Sequence, residues 1–310
     1  MKNQQSKVSR RNKFIYGSLC VLLCIFWGAG NPVIKIGLFS IPPFLMLGMR
    51  FFFAFLIFLI LFRKKSFAGV RRSNIKGLLM IGVLSALTYV LATVALGITQ
   101  ATIAGFLMAV AVIFTPFLSY FFLRSRTDRR LFPIIALMIV GTYFLCGGGT
   151  EFTFGLGELL ALTSSLTLAL VMIFTTKYVE EAGPVTMSTI QTLTTGVICL
   201  AIAVVVEAPL DFAAITTEGW VSLGYQVIFC SVITYMIQNV ALKNLTAVFV
   251  SIVFCLEPLV TALFSIILLG EFLPFMGYVG GGMIMVGLVL ASLLEEKVSV
   301  ELKESVGYKE

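Results

Sequence analysis

Glu257 stands deeper inside an apolar run than any other acid in the chain, with thirteen uncharged residues on either side and Pro258 directly after it. Desolvation disfavours the charged form of a carboxyl, so an acid in such a place is a candidate proton carrier; its other reading is structural, bonding backbone that the proline leaves open. Ser85 and Tyr89 are four apart, and Ser231, Tyr235 and Gln238 are spaced by four and three, so each set forms one stripe of a helix. Such stripes line a polar interior that receives a small molecule, or bond one helix to the next. Lys35 and Arg50 can pair with an acid, reach out to a polar boundary, or attract an anion. Pro32, Pro116 and Pro258 each remove a backbone donor, freeing the carbonyls of Gly28, Val112 and Phe254 as bending points or backbone ligands.

Absent residue types narrow the chemistry. The chain has no histidine, its six cysteines (Cys20, Cys24, Cys146, Cys199, Cys230, Cys255) form no CxxC, and its two aspartates, Asp128 and Asp211, lie far apart. Zinc, iron–sulfur, metal-assisted hydrolysis and triad chemistry lack their usual groups, and no GxxxxGK[ST] sequence offers a nucleotide site. The expectation is a non-enzyme with no metal and no cofactor. An intramembrane enzyme and a non-transporting receptor or assembly factor remain as alternatives, the latter normally bringing longer loops.

These residues need a scaffold, and composition decides its solvent. Of 310 residues 59% are hydrophobic and 12% charged, against roughly 25% charged in soluble domains. A mean hydropathy of +1.05 leaves too little polar cover for a water-soluble fold, so the partner is a lipid bilayer. Uncharged or nearly uncharged runs recur at 14–38, 44–62, 77–97, 101–123, 131–149, 156–176, 184–206, 219–242, 245–269 and 273–294. Each supplies about 20 residues, the helix length that crosses ~30 Å of hydrocarbon. They are continuous rather than alternating, which excludes a β-barrel. The fold class expected is all-α integral membrane, with ten transmembrane helices.

Under a ten-span count, all 22 Lys and Arg except Lys35 and Arg50 fall on one side: in segment 1–13, in the connections around 63–76 and 124–130, at Lys177 and Lys243, and in the tail at 295–310. The opposite connections hold acids such as Glu151, Glu207, Asp211, Glu218 and Glu271. A miscounted span would scramble this asymmetry. It places both termini in the cytoplasm of a cell whose plasma membrane the chain spans, and accounts for the net charge of +7 without nucleic acid. The basic start and following apolar run reach Trp27 without a small-residue cleavage site, so the first helix is expected to stay uncleaved.

The chain also repeats itself. Ser85–Leu96 and Ser231–Leu242 share six of twelve residues at an offset of 146. Pro116 aligns with Pro258 and Lys35 with Lys177 at 142; Pro43 aligns with Pro184, and Arg50 with Gln191, at 141. The halves are 14–149 and 155–294. Five helices per half is an odd number, so the second half enters the membrane from the opposite side. Two inverted five-helix repeats are a recurring design of secondary transporters, with the site near the midplane between them.

Trp27-Gly28 with Asn31-Pro32, Arg50, Gly155-x-Gly157-Glu158-Leu-Leu-Ala-Leu, Leu256-Glu257-Pro258 and Gly270-Glu271 together resemble the EamA-type branch of the drug/metabolite transporter superfamily, over nearly the whole chain. Asp128-Arg129 stands where many members carry Gly-Glu. The resemblance implies cytoplasmic termini, a central cavity between helices one, three, four, six, eight and nine, and export or exchange of amino acids, drugs or other small metabolites. The expected substrate-binding residues are Trp27, Asn31, Ser85, Tyr89, Ser231, Tyr235 and Gln238, with the substrate between the two tyrosines. Coupling and gating are expected from Glu257, Lys35, Arg50, Pro116 and Pro258. Glu158 reads as a dipole partner at its helix N-terminus. Gly277, Gly280, Gly281 and Gly282 permit close helix approach, within the chain or to a second copy as a homodimer.

Overall fold

The computed structural model describes residues 10–99, 101–125, 127–146, 155–209, 211–270 and 272–305, and these are helical, without strands. Ten helices run α1 (Arg10–Gly37), α2 (Pro43–Arg72), α3 (Ile75–Ile98), α4 in two segments, α4a (Ala101–Ala109) and α4b (Ala111–Leu123), then α5 (Leu131–Leu145), α6 (Leu156–Ala182) and α7 (Pro184–Val206). They continue as α8 (Thr217–Asn244), α9 in two segments, α9a (Ala247–Phe254) and α9b (Glu257–Leu269), and α10 (Phe275–Ser305). Nine are long and apolar enough to cross a bilayer, and α5 is a shorter apolar helix of 15 residues, about 22 Å. Residues 147–149, the end of the expected fifth span, lie outside the described residues, as does Glu271. The helices overrun the expected tails: α1 begins at Arg10 and α10 continues to Ser305.

Local chemistry sets the boundaries. Pro43 and Pro184 open α2 and α7 at first-turn positions where no backbone donor is needed. Asn74, Thr216 and Thr246 cap α3, α8 and α9a by accepting from backbone N–H groups. Glu158 caps α6, taking the Gly155 N–H at 2.8 Å and the Thr99 hydroxyl at the end of α3. Glu207, at the end of α7, accepts from the N–H groups of both Phe44 and Leu45 at 2.8 Å, so one repeat caps a helix of the other.

Helix pairing follows the inverted symmetry. α2 packs along its repeat mate α7, α5 packs along its mate α10, and the pair α3–α6 is matched by the pair α8–α1. At α5–α10 a Cβ on Gly280 would run into Gly141 O and Leu145 N, so this glycine serves contact within the chain. A Cβ on Gly282, by contrast, would meet open space.

The two ends of the bundle differ. Toward the basic end, Cys20, Leu23 and Cys24 of α1 join Met172 and Ile173 of α6, Ala241 of α8 and Val250 of α9a in one core, with Leu118 and Leu123 of α4b against it. Toward the acidic end the core divides into a cluster of α2, α7 and α8 around Leu45, Ala203 and Leu223, and another of α3, α4a and α6 around Ala95, Leu107 and Ala161. Between these ends a cluster around Leu47, Phe51, Cys199 and Tyr235 packs against Trp27 of α1 and Tyr89 and Val90 of α3.

Candidate functional site

Two helices that bring chemistry to the centre are irregular. α8 widens into a π turn over Ile228–Ile233, which disturbs its carbonyl ladder. Cys230 O accepts there from Trp27 Nε1 at 2.9 Å and from Arg50 Nη2 at 2.7 Å, while Arg50 Nε donates to Ser231 Oγ at 2.7 Å. α9 breaks in 3₁₀ turns, Cys255 N to Ile252 O and Leu256 N to Val253 O, and restarts with Glu257 and Pro258 in the first turn of α9b. The partly buried Glu257 thus sits at a helix N-terminus, where the backbone dipole favours negative charge. Its repeat mate, at offset 142, is Thr115 in α4b, whose hydroxyl bonds Ala111 O within its own helix. The acid is on one side only.

α1 carries Asn31 to Glu257. A Cβ on Gly28 would lie 2.6 Å from Val260 Cβ and 2.9 Å from Thr261 N, so α1 rests directly on α9b where only glycine fits. One turn on, Asn31 Nδ2 donates to Glu257 Oε1 at 3.3 Å and Thr261 Oγ1 at 2.8 Å. α8 bonds the other face of α1: Ser222 to Val33 O, Gln226 to Gly30 O, and both Tyr225 and Cys230 to Phe26 O.

At the centre, Tyr235 donates its hydroxyl to that of Tyr89 at 3.3 Å. The two are repeat mates, so their contact lies on the pseudo-two-fold axis. Phe51 braces both rings, with centroids at 4.7 Å from Tyr89 and 5.7 Å from Tyr235. Against this pair lies a small cavity, about 20 Å³ to a water-sized sphere, that Trp27, Ser85, Thr88, Gln191 and Gln238 also line, with Leu168 and Val171 of α6 as its apolar wall. Ser85 and Gln238 stand one turn nearer the basic end than the tyrosines. The pair therefore separates this cavity from the Arg50, Asn31 and Glu257 side.

Of the expected residues, Trp27, Ser85, Tyr89, Tyr235 and Gln238 share the cavity. Ser231 is turned to Arg50, and Asn31 to Glu257. A ligand between the tyrosine rings would first have to open their hydrogen bond. Lys35 is exposed in the last turn of α1, and Lys177, its mate, is exposed over the Tyr178 ring at 5.4 Å; neither lines the cavity. Pro258 marks a break, but α1 runs unbroken through Pro32, and α4 breaks at Val110, six residues before Pro116. The donors from α8 reach the carbonyls of Phe26, Gly30 and Val33, on either side of the Gly28 carbonyl that Pro32 frees, and α1 continues as one helix.

Residues 15–147 and 155–293 each match the EamA-like transporter family. The chain belongs to that family. An uncharacterized transporter of Archaeoglobus fulgidus is 28% identical over 282 residues, covering 91% of this chain and 87% of that one. An uncharacterized inner membrane transporter of Escherichia coli K12, YedA, is 25% identical over 287 residues, covering 90% of each. A crystal structure at 15% identity overlays with a TM-score of 0.76 across 94% of this chain and 99% of that one, which shows a common fold. The EamA-like fold is a multi-pass membrane fold of two repeats, and its role is membrane transport.

Three parts of this EamA-like site have no simple mark in the sequence. Gln191 carried a hint, as the mate of Arg50, and Thr88 another, from the repeated Ser-x-x-Thr-Tyr. Nothing in Ile228–Ile233, which lacks glycine and proline, distinguishes a π turn from ordinary helix.

Proposed function

We propose that this EamA-like protein is a secondary active exporter of small metabolites, amino acids or amphiphilic and aromatic compounds, working by alternating access between its inverted repeats with Glu257 as the proton-coupling group. The observation that carries the reading is the small cavity on the repeat axis, which aromatic rings and hydroxyls from both repeats face. Aromatic faces hold apolar or planar bodies, while Ser85, Thr88, Gln191 and Gln238 satisfy polar ends. Export is the direction the family resemblance implies. Metabolite profiles of the medium from cells with and without the protein test it, followed by proteoliposome transport of whatever differs. The expected result is a small set of exported compounds that the purified protein moves; identical media and inert proteoliposomes would overturn it.

The membrane is the plasma membrane, with the basic end cytoplasmic, because Lys and Arg are retained on that side. Single cysteines placed at 207–218 are expected to react with an impermeant thiol reagent on intact cells, and those at 63–76 to react only after lysis. The reverse pattern would invert the topology.

A further inference from the structure

We propose that Arg50 is the receptor for a carboxylate on the transported molecule, so that the substrate class is a monocarboxylate with an apolar or aromatic body. This rests on the reading above that the centre of the bundle is the transport site.

Arg50 is 6% exposed, in the interior of a membrane protein, and a guanidinium cannot shed its charge there. A buried cation needs compensation, normally from an acid. Both of its hydrogen-bond acceptors, Ser231 Oγ and Cys230 O, are neutral, and among the described residues it has no carboxylate partner. The rings of Phe51 at 5.0 Å and Tyr89 at 5.6 Å offer their π faces, a weaker form of compensation.

The geometry of the fork says where a counter-ion fits. Nε and Nη2 form the side edge of the guanidinium, and the protein uses that edge. Among the described residues Nη1 makes no bond, yet it is not one of the fully buried polar atoms without a partner, so it keeps some accessible surface. The end edge, Nη1 with the second hydrogen of Nη2, remains for a ligand, and two parallel N–H groups match the two oxygens of a carboxylate. A polyanion would need further cations converging on this point, and among the described residues none of the recorded contacts of Arg50 is a second cation.

The repeat supplies the control. Gln191 occupies the mate's place in α7, where it donates to Thr175 at 3.5 Å and accepts from Asn239 at 2.9 Å. A neutral side chain therefore serves the scaffold at that position, and helix joining alone does not call for a cation. Glu257 interacts electrostatically with Arg50 without touching it, its carboxylate being engaged by Asn31. Opposite charges thus lie near each other in the middle of the bundle, and neither neutralises the other by contact.

The test uses the intact protein and the compounds that cells expressing it export. Those compounds are expected to carry a carboxylate, and in proteoliposomes the wild type is expected to take each acid at least tenfold better than its primary amide, with the difference in KM. Arg50→Gln is expected to move acid and amide alike, and Arg50→Lys to recover part of the preference. Exported compounds without an acid group, or a wild type that takes acid and amide equally, would overturn the proposal even if Arg50→Gln failed to fold. A folded Arg50→Gln that keeps the preference would overturn it too. Media identical with and without the protein would sink the transport reading instead, so the two failures are distinguishable.

Discussion

Replacing Glu257 with glutamine is expected to abolish accumulation driven by a pH gradient while leaving counterflow exchange close to wild type. Glutamine keeps the shape of the side chain and an oxygen for Asn31 Nδ2 to bond, so the contact between α1 and α9b survives. What it loses is the proton. One pH unit is worth about 1.4 kcal/mol per proton, so one proton per substrate supports about tenfold accumulation per unit of gradient. Without a titrating group on this path the ratio falls to one. Exchange needs no net proton movement and continues. Proteoliposomes given a pH step, with labelled substrate inside and out, read both quantities. Gradient-driven accumulation at wild-type level in Glu257→Gln would leave the carboxylate only its structural place at the α9 break.

That asymmetry was legible from the sequence, because Glu257 aligns with Thr115 and no other acid stands so deep. The ten helices and inverted halves were legible too, since hydrocarbon length, charge sidedness and residue-by-residue repetition each constrain the same count. Geometry that depends on partners was not. A proline signals a lost donor but not whether the helix breaks there: α1 continues through Pro32 with α8 bonded along it, while α4 breaks at Val110 with no proline beside it. The π turn at Ile228–Ile233 is recognisable only through Trp27 and Arg50, which converge on Cys230 O from helices distant in sequence. Glu207 read as one loop acid among several, yet it caps α2, because its role depends on where an N-terminus in the other repeat ends up.

Tyr89→Ala and Tyr235→Ala are each expected to weaken binding of the exported substrate at least tenfold, with expression and monodispersity near wild type. Either change removes a ring that walls the cavity and unbraces Phe51. The two losses should be unequal. Tyr89 also lies under the Arg50 guanidinium, which Tyr235 does not, so Tyr89→Ala should cost more, by about the 0.5–2 kcal/mol of a cation–π contact. Phenylalanine separates ring from hydroxyl. Tyr89→Phe and Tyr235→Phe each delete the same hydrogen bond and keep both rings, so the two variants should shift affinity equally and by less than the alanine variants. Equality has a further source in symmetry. Alternating access exchanges the roles of the two repeats, and a contact between mates maps onto itself under that exchange. The Tyr89–Tyr235 bond can accordingly persist in both conformations, whereas Asn31–Glu257 has no mate that could replace it. Loss of the hydroxyl pair should then act on affinity alike from either side of the membrane, without favouring one conformation. Binding isotherms on the four purified variants decide the matter: unchanged affinity in both alanine variants would remove the substrate from this cavity, and unequal phenylalanine variants would move the tyrosine contact off the axis.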